Sequence, residues 1–313
     1  MDDASQDSSF DIANGFREKD ARFRPFLRSG PFKGANVCRN QGLAVSLGEY
    51  IVFLDSDDLM SSTCLEHRVL AMDAKPDCDF GVYQTELFNK SIGDRRVLWN
   101  NYTERNDLMR FLSLDGAWLT TGPIWRKGAL AQLGGFDEQI ISFQDWDIHI
   151  RALIFGLKYY KMPIRDNFHR DNLYTHNAIS SVSCVSEVHL LSHERLFKKL
   201  HDQLIAFGFK DNATANHMVG LFWWLAECWM SLGDVLSAER VWRLPFDRGL
   251  CSRSQHFEGN LIIRFLSVRH DGKFARLIKR SWPSAYHQLS SRRVNNSPVG
   301  ITEPPEIAVT LQD

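Results

Sequence analysis

Three aspartates close an apolar run in Gly48-Glu49-Tyr50-Ile51-Val52-Phe53-Leu54-Asp55-Ser56-Asp57-Asp58. Tyr50 to Leu54 has the pattern of a strand buried on both faces of a parallel sheet. In an open α/β sheet, ligands bind beyond the carboxyl ends of the strands, where these acids would stand. Carboxylates this close repel, and each is pushed toward protonation unless a cation sits among them. An all-oxygen cluster suits Mg²⁺ or Mn²⁺ shared with a substrate phosphate, so the stretch reads as a metal–diphosphate site. The rival readings are weaker. Thr63 and Glu66 already form a capping-box pattern for the next helix, which leaves the aspartates surplus to that task. An EF-hand loop needs Gly at its sixth position, where Met60 stands. A solvated acidic turn is the bland alternative.

A second stretch with chemical potential is Gly134-Gly135-Phe136-Asp137-Glu138, followed by Gln144-Asp145-Trp146-Asp147. Trp146, Ile150, Leu153 and Ile154 follow helical spacing and face a core, which leaves Asp145 at the helix entrance pointing elsewhere. Taken alone, Asp145 is an N-cap carboxylate favoured by the helix dipole. Asp147 and Arg151, four apart, read as a surface ion pair. His169 and His176 could touch a diphosphate or metal, although a single histidine is more often structural.

The elements that must position these groups follow from pattern. Phe16 to Asp20 ends a short helix, and Ala21 to Leu27 could form a strand. Ala35 to Leu47 is helical, with Gly48 as its stop. A helix runs from Thr63 to about Met72, and Asp79 to Phe88 is a strand. Thr103 to Leu114 is helical, and Pro123 keeps Thr120 to Trp125 extended. Trp118 and Trp125 are expected in the core rather than on a sugar face. From Ser186 the pattern is helical: Leu190, Phe197, Leu200 and Leu204 make one stripe. Asn212 to Leu232 and Asp234 to Arg243 make a helical hairpin with core tryptophans Trp223, Trp224 and Trp229.

Three segments, matching in order and spacing, resemble the family 2 glycosyltransferases. They are Asp2-Asp3-Ala4-Ser5-Gln6-Asp7-Ser8, Cys38-Arg39-Asn40-Gln41-Gly42-Leu43, and Gly48-Glu49-Tyr50-Ile51 with Leu54-Asp55-Ser56-Asp57-Asp58. The Gly-Gly-Phe-Asp loop with Gln144-Asp145, and His176-Asn177-Ala178-Ile179-Ser180, are similar to later family segments. The resemblance covers roughly residues 1 to 180. It implies an α/β GT-A (Rossmann-like) nucleotide-diphospho-sugar transferase domain over 1–181, a helical C-terminal region over 186–289, and a loose tail over 290–313. It also implies an inverting, metal-dependent sugar transfer from a nucleotide-diphosphate sugar to an acceptor hydroxyl. By resemblance, Asp57 coordinates Mg²⁺ or Mn²⁺, Asp55 assists at the ribose or the metal, Asp3 hydrogen-bonds the nucleobase, and Asp145 is the base. The acceptor class would be a glycan or lipid-linked glycan of surface polysaccharide synthesis. In the family a strand, a helix and a second strand precede the acidic turn. An N-terminally truncated domain is therefore expected, with an unpaired edge on Tyr50 to Leu54. A non-catalytic remnant that binds a sugar nucleotide or a partner is the alternative. A haloacid dehalogenase phosphatase fits poorly, since Leu59 stands where it wants Thr or Val.

Composition bounds these readings. The 313 residues are 44% apolar and 12% aromatic with net charge −1, which indicates a cored globular protein without global attraction to nucleic acid. Six cysteines lack CxxC spacing, so neither zinc nor a disulfide framework is expected. The start, Met1-Asp2-Asp3, is not a signal peptide. His217 to Met230, interrupted by Glu227, falls short of the roughly 20 residues of a membrane span. A soluble, cytoplasmic protein follows, at most resting on the inner face of a membrane. The cation-rich stretch 248–280 is a candidate contact with anionic lipid, or else a solvated face.

Overall fold

Phe80–Phe88, nearly all of it buried, is the strand on which the sheet is built. The computed structural model describes residues 1–99, 101–171 and 184–268. The strands are β1 (Tyr50–Val52), β2 (Leu59–Met60), β3 (Phe80–Phe88), β4 (Val97–Leu98), β5 (Pro123–Arg126) and β6 (Tyr159–Arg170). They form one mixed sheet in the order β1-β5-β3-β6-β2, with β4 on β3. Among these strands the long β3–β6 pair is parallel, with register shifts around Gln84, and the other pairs are antiparallel. Pro123 opens β5, a strand position where its missing N–H is tolerated.

The expectation for Tyr50 to Leu54 is corrected here. The strand is three residues long, runs antiparallel to β5, and ends the strand order. With one neighbour, only Ile51 of the three is buried, and Leu54 is 46% exposed. Its other edge has no partner among the described strands. Ala21 to Leu27 is not a strand; Leu27 forms an isolated parallel bridge with Asp2.

The helices are α1 (Ser9–Lys19), α2 (Ala35–Val45), α3 (Cys64–Asp73), α4 (Asp107–Leu112), α5 (Lys127–Leu133), α6 (Gln144–Ile154), α7 (Glu187–Ala206), α8 (Asn212–Ser231), α9 (Val235–Asp247) and α10 (Arg253–Val268). Asn106, Asp211 and Asp234 cap α4, α8 and α9 by accepting from Met109, Thr214 and Ser237 N–H groups. Thr63 precedes α3 without a side-chain cap, so the capping box expected there does not form. Helix α2 stops at Val45, capped at Ser46, short of Gly48.

One apolar cluster runs from the sheet into the helical region. Phe80, Phe111, Trp118, Trp125 and Trp146 share it with Phe197, Phe222, Trp223 and Trp242. Trp118 and Trp125 are 2% and 1% exposed, so both are core residues as expected. The stripe of Leu190, Phe197, Leu200 and Leu204 is buried, and α8 and α9 form the expected hairpin. The expected segment 176–180, the loose tail 290–313 and the part of 248–280 beyond 268 lie outside the described residues. No helix among the described residues is long and apolar enough to cross a membrane.

Candidate functional site

Asn36, Arg39 and Asn40 lie three and four apart on α2 and therefore share one face. Asn36 and Asn40 both reach the loop at residues 136–140, and Arg39 reaches two other segments. Asn36 Nδ2 donates to the carbonyls of Asp137 (2.8 Å) and Ile140 (3.0 Å). Asn40 Nδ2 donates to Phe136 O (2.9 Å), and its Oδ1 accepts from Phe136 N (2.8 Å). A Cβ at Gly135 would stand 2.6 Å from Asn40 Oδ1, and Gly135 has φ +71°, so glycine is required there on both counts.

Arg39 joins the two acidic stretches. Its Nη2 donates to Asp55 Oδ1 at 2.6 Å, and its Nη1 donates to Gln144 Oε1 at 2.9 Å. One guanidinium thus ties the turn after β1 to the first residue of α6, a geometry suited to arginine's planar fork. Asp145 sits beside it. Burial raises its pKa, the nearby Arg39 charge lowers it, and Asp55 raises it again, with a net upward shift. Asp145 Oδ1 accepts from the Trp146 N–H at 3.0 Å within the first turn. It is not the N-cap; that position is Phe143, held in a left-handed conformation (φ 57°, ψ 35°).

The three clustered acids part company. Asp55 turns to Arg39. Asp58 turns inward, 5% exposed, with Oδ2 accepting from Thr121 Oγ1 (2.9 Å) and Oδ1 meeting His169 Nδ1 (2.8 Å) and the Arg170 N–H (3.1 Å). Asp58 thereby docks the end of β6 to the acidic turn and is a structural acid. Asp57 is exposed, and its carbonyl accepts from Arg170 Nε. For His169, burial opposes the charged ring, but the Asp58 bond and the charges of Asp58, Asp57 and Asp55 raise its pKa overall.

Among the described residues, no three His, Cys, Asp or Glu side chains converge on one metal position. The hard donors present are the carboxylates of Asp57 and Asp55, with His169 beside them and its Nδ1 committed to Asp58. His169 feels both acids electrostatically, so they form one neighbourhood. That set fits Mg²⁺ or Mn²⁺, which keep waters and share substrate phosphate oxygens instead of taking a full protein cage.

Asp3 lies apart. It pairs with Arg28 and accepts from Gly34 N at 3.0 Å, at the amino end of α2. From there to Arg39 is roughly 7 Å along the helix. Asp55 and Asp145 are therefore brought together, Asp57 stands next to them, and Asp3 is linked to them through α2.

The expected surface pair Asp147–Arg151 is instead buried, with side chains 1% and 5% exposed. Arg151 also donates to the carbonyls of Leu133 (2.6 Å) and Gly135 (2.7 Å), and Lys199 Nζ reaches Asp147 and Asp137, each at 2.8 Å. The charges face inward because they close the Gly-Gly-Phe-Asp loop between α6 and α7. The bridging role of Arg39 and the place of Phe143 escape sequence reasoning. The first needs a partner 105 residues away, and the second is a bulky residue in a conformation usually signalled by glycine or asparagine.

Residues 1–129 match the sequence model described as "Glycosyl transferase family 2". An uncharacterised glycosyltransferase of Methanocaldococcus jannaschii is 22% identical over 178 residues, 54% of this chain and 60% of the relative. WfaP of Escherichia coli, named a UDP-Glc:α-D-GlcNAc-diphosphoundecaprenol β-1,3-glucosyltransferase, is 36% identical over 74 residues, 24% of this chain and 28% of that protein. The matched stretch thus spans less than two thirds of the length of either. The crystal structure of S. aureus TarS 1-349 superposes with a TM-score of 0.54 at 14% identity, covering 87% of this chain and 82% of that one.

Proposed function

We propose, on the premise that residues 1–129 belong to glycosyl transferase family 2 and that the chain folds as GT-A, that this protein transfers a sugar from a nucleotide-diphosphate donor to an acceptor hydroxyl with inversion. The observation that carries the reading is Arg39, which holds the acid at the end of β1 and the entrance of α6 in one site. Asp145, its pKa raised by burial, takes the proton of the acceptor hydroxyl as that oxygen bonds to the anomeric carbon. The bond from the anomeric carbon to the phosphate oxygen breaks, and the nucleoside diphosphate leaves with the electron pair. Asp57, with Asp55 and His169 nearby, would hold Mg²⁺ or Mn²⁺, which offsets charge on the departing diphosphate when bound. Asp3 is assigned to the nucleobase.

The acceptor is proposed as a glycan or lipid-linked glycan; in its support, WfaP is named for a diphosphoundecaprenol-linked sugar. Such an acceptor fits a protein working in the cytoplasm at the inner membrane face. The test is release of nucleoside diphosphate from UDP-, GDP- and dTDP-sugars by the full chain, with Mn²⁺, with Mg²⁺, and with EDTA. Turnover with at least one donor that EDTA abolishes is expected, and Asp57→Ala is expected to mimic EDTA. Turnover undiminished by EDTA would remove the metal from the reading.

A further inference from the structure

Phe143 is a bulky residue held at φ 57° and ψ 35°, immediately before the helix that carries Asp145. Non-glycine residues with large side chains rarely occupy this region, and such strain persists only where surroundings impose it. The surroundings here come largely from the helical region beyond the sheet. The Phe143 ring stacks on His193 of α7 at 4.5 Å and 21°, and it tilts against Trp224 of α8 at 5.7 Å. It also stacks on Trp146 at 4.8 Å and 15°.

The neighbouring backbone is tied to the same helix. Ser142 Oγ and His193 Nε2 are hydrogen-bonded at 2.7 Å in a buried position. The Ile141 N–H donates to Ser192 Oγ at 3.1 Å. His193 is fully buried, and burial with the neighbouring His189 lowers its pKa to about 3, so the ring contributes shape and one hydrogen bond, not charge. Residues 141 to 143 are thus held at three consecutive positions by α7 and α8.

We infer that the helical region is a positioning device for the site: His193, with Ser192 and Trp224, holds Phe143 in its left-handed conformation and so fixes where Asp145 stands. His193 and Phe143 are positioning residues; neither needs to touch a reacting atom. The value of that placement to catalysis rests on the proposed sugar transfer, but the placement itself does not.

The test therefore uses no donor or acceptor. Asp145 has a raised pKa, so its ionised form is disfavoured in the folded chain. It lowers stability as pH rises from the ordinary carboxylate value through the raised one. Asp145→Asn in the full chain should stabilise against urea at neutral pH, with the gain fading on acidification. The groups that set this midpoint are Arg39 of α2 and Asp55 after β1. When Phe143→Ala or His193→Ala is added, the strained turn is released and Asp145 becomes hydrated. The midpoint of the Asp145→Asn gain should then fall by about one pH unit, a tenfold change in the carboxyl's ionisation. Phe143→Gly accepts the same backbone without strain and serves where the alanine variants fail to fold; the turn so loosened should shift the midpoint in the same direction. His193→Gln, which keeps a hydrogen-bonding group for Ser142, should restore part of it. An unchanged midpoint in folded variants overturns the inference, as does a wild-type background in which Asp145→Asn changes nothing at any pH. Loss of transfer with an unmoved midpoint would count against the inference and leave the transferase reading standing.

Discussion

At Phe143 the energies of opposing effects can be compared. A bulky residue in the left-handed region costs about 1–3 kcal/mol. Two stacked ring contacts contribute about 0.5–1.5 kcal/mol each, and the Ser142–His193 hydrogen bond about 1 kcal/mol. The sums are of similar size, so the conformation is held with little to spare. Two residues on, Asp145→Asn should lower turnover by about 10²–10⁴-fold while donor affinity stays near wild type, measured by steady-state kinetics and calorimetry. If Asp145 is the base, as proposed, it works only when ionised, so turnover should rise with pH through its raised pKa. Arg39→Ala removes the neighbouring cation, so the acidic limb of that profile should move to still higher pH; a limb that stays put would dissociate Arg39 from Asp145. At this scale the sequence is informative about residue types and poor about directions. Asp55, Asp57 and Asp145 are legible from their order along the chain. That Asp58 turns inward depends on Thr121, just before β5, and on His169 of β6, more than a hundred residues downstream.

Between elements, buried ion pairs do the joining. Arg68 of α3 donates twice to Asp166 of β6, at 2.9 and 2.7 Å, and once to Thr121 O at 2.9 Å, with both side chains at most 2% exposed. Removing one partner leaves an uncompensated buried charge, so Asp166→Leu or Arg68→Met alone should cost about 3–5 kcal/mol in urea unfolding. The double variant should recover much of that loss. A double variant no better than either single one would mean that the site needs the charges themselves. Helix periods, the Pro123 strand start and the Gly233 hairpin break are readable locally, because they follow from backbone preferences. Whether an i,i+4 pair such as Asp147 and Arg151 faces water is not, because both outcomes give the same spacing. The carbonyls of Leu133 and Gly135 around Arg151, and Lys199 of α7 on Asp147, make this pair an interior one.

Across the whole molecule, the apolar cluster does not stop where the sequence pattern changes from mixed to helical near Ser186. Phe111 and Trp146 belong to the same core as Phe197 and Phe222. Calorimetry of the full chain should therefore show a single unfolding transition, whereas two transitions would support independently folding halves. A chain ending before α7 would uncover Phe143 and open the shared apolar cluster, and should be insoluble or molten. The 1–181 bound follows from the family resemblance and the 186–289 unit from the change to a helical pattern; sequence shows where patterns change but not which faces meet.

The Asn40 side chain closes a two-way bond with the backbone of Phe136, with no room beside it for any side chain at Gly135. A consequence reaches anyone who would recombine proteins of this fold by swapping segments. The first third of the chain and the loop near residue 135 behave as lock and key, so a crossover point placed between them would bring together halves cut for different counterparts. Chimaeras that inherit both pieces from one parent should survive far more often than those that inherit them from two.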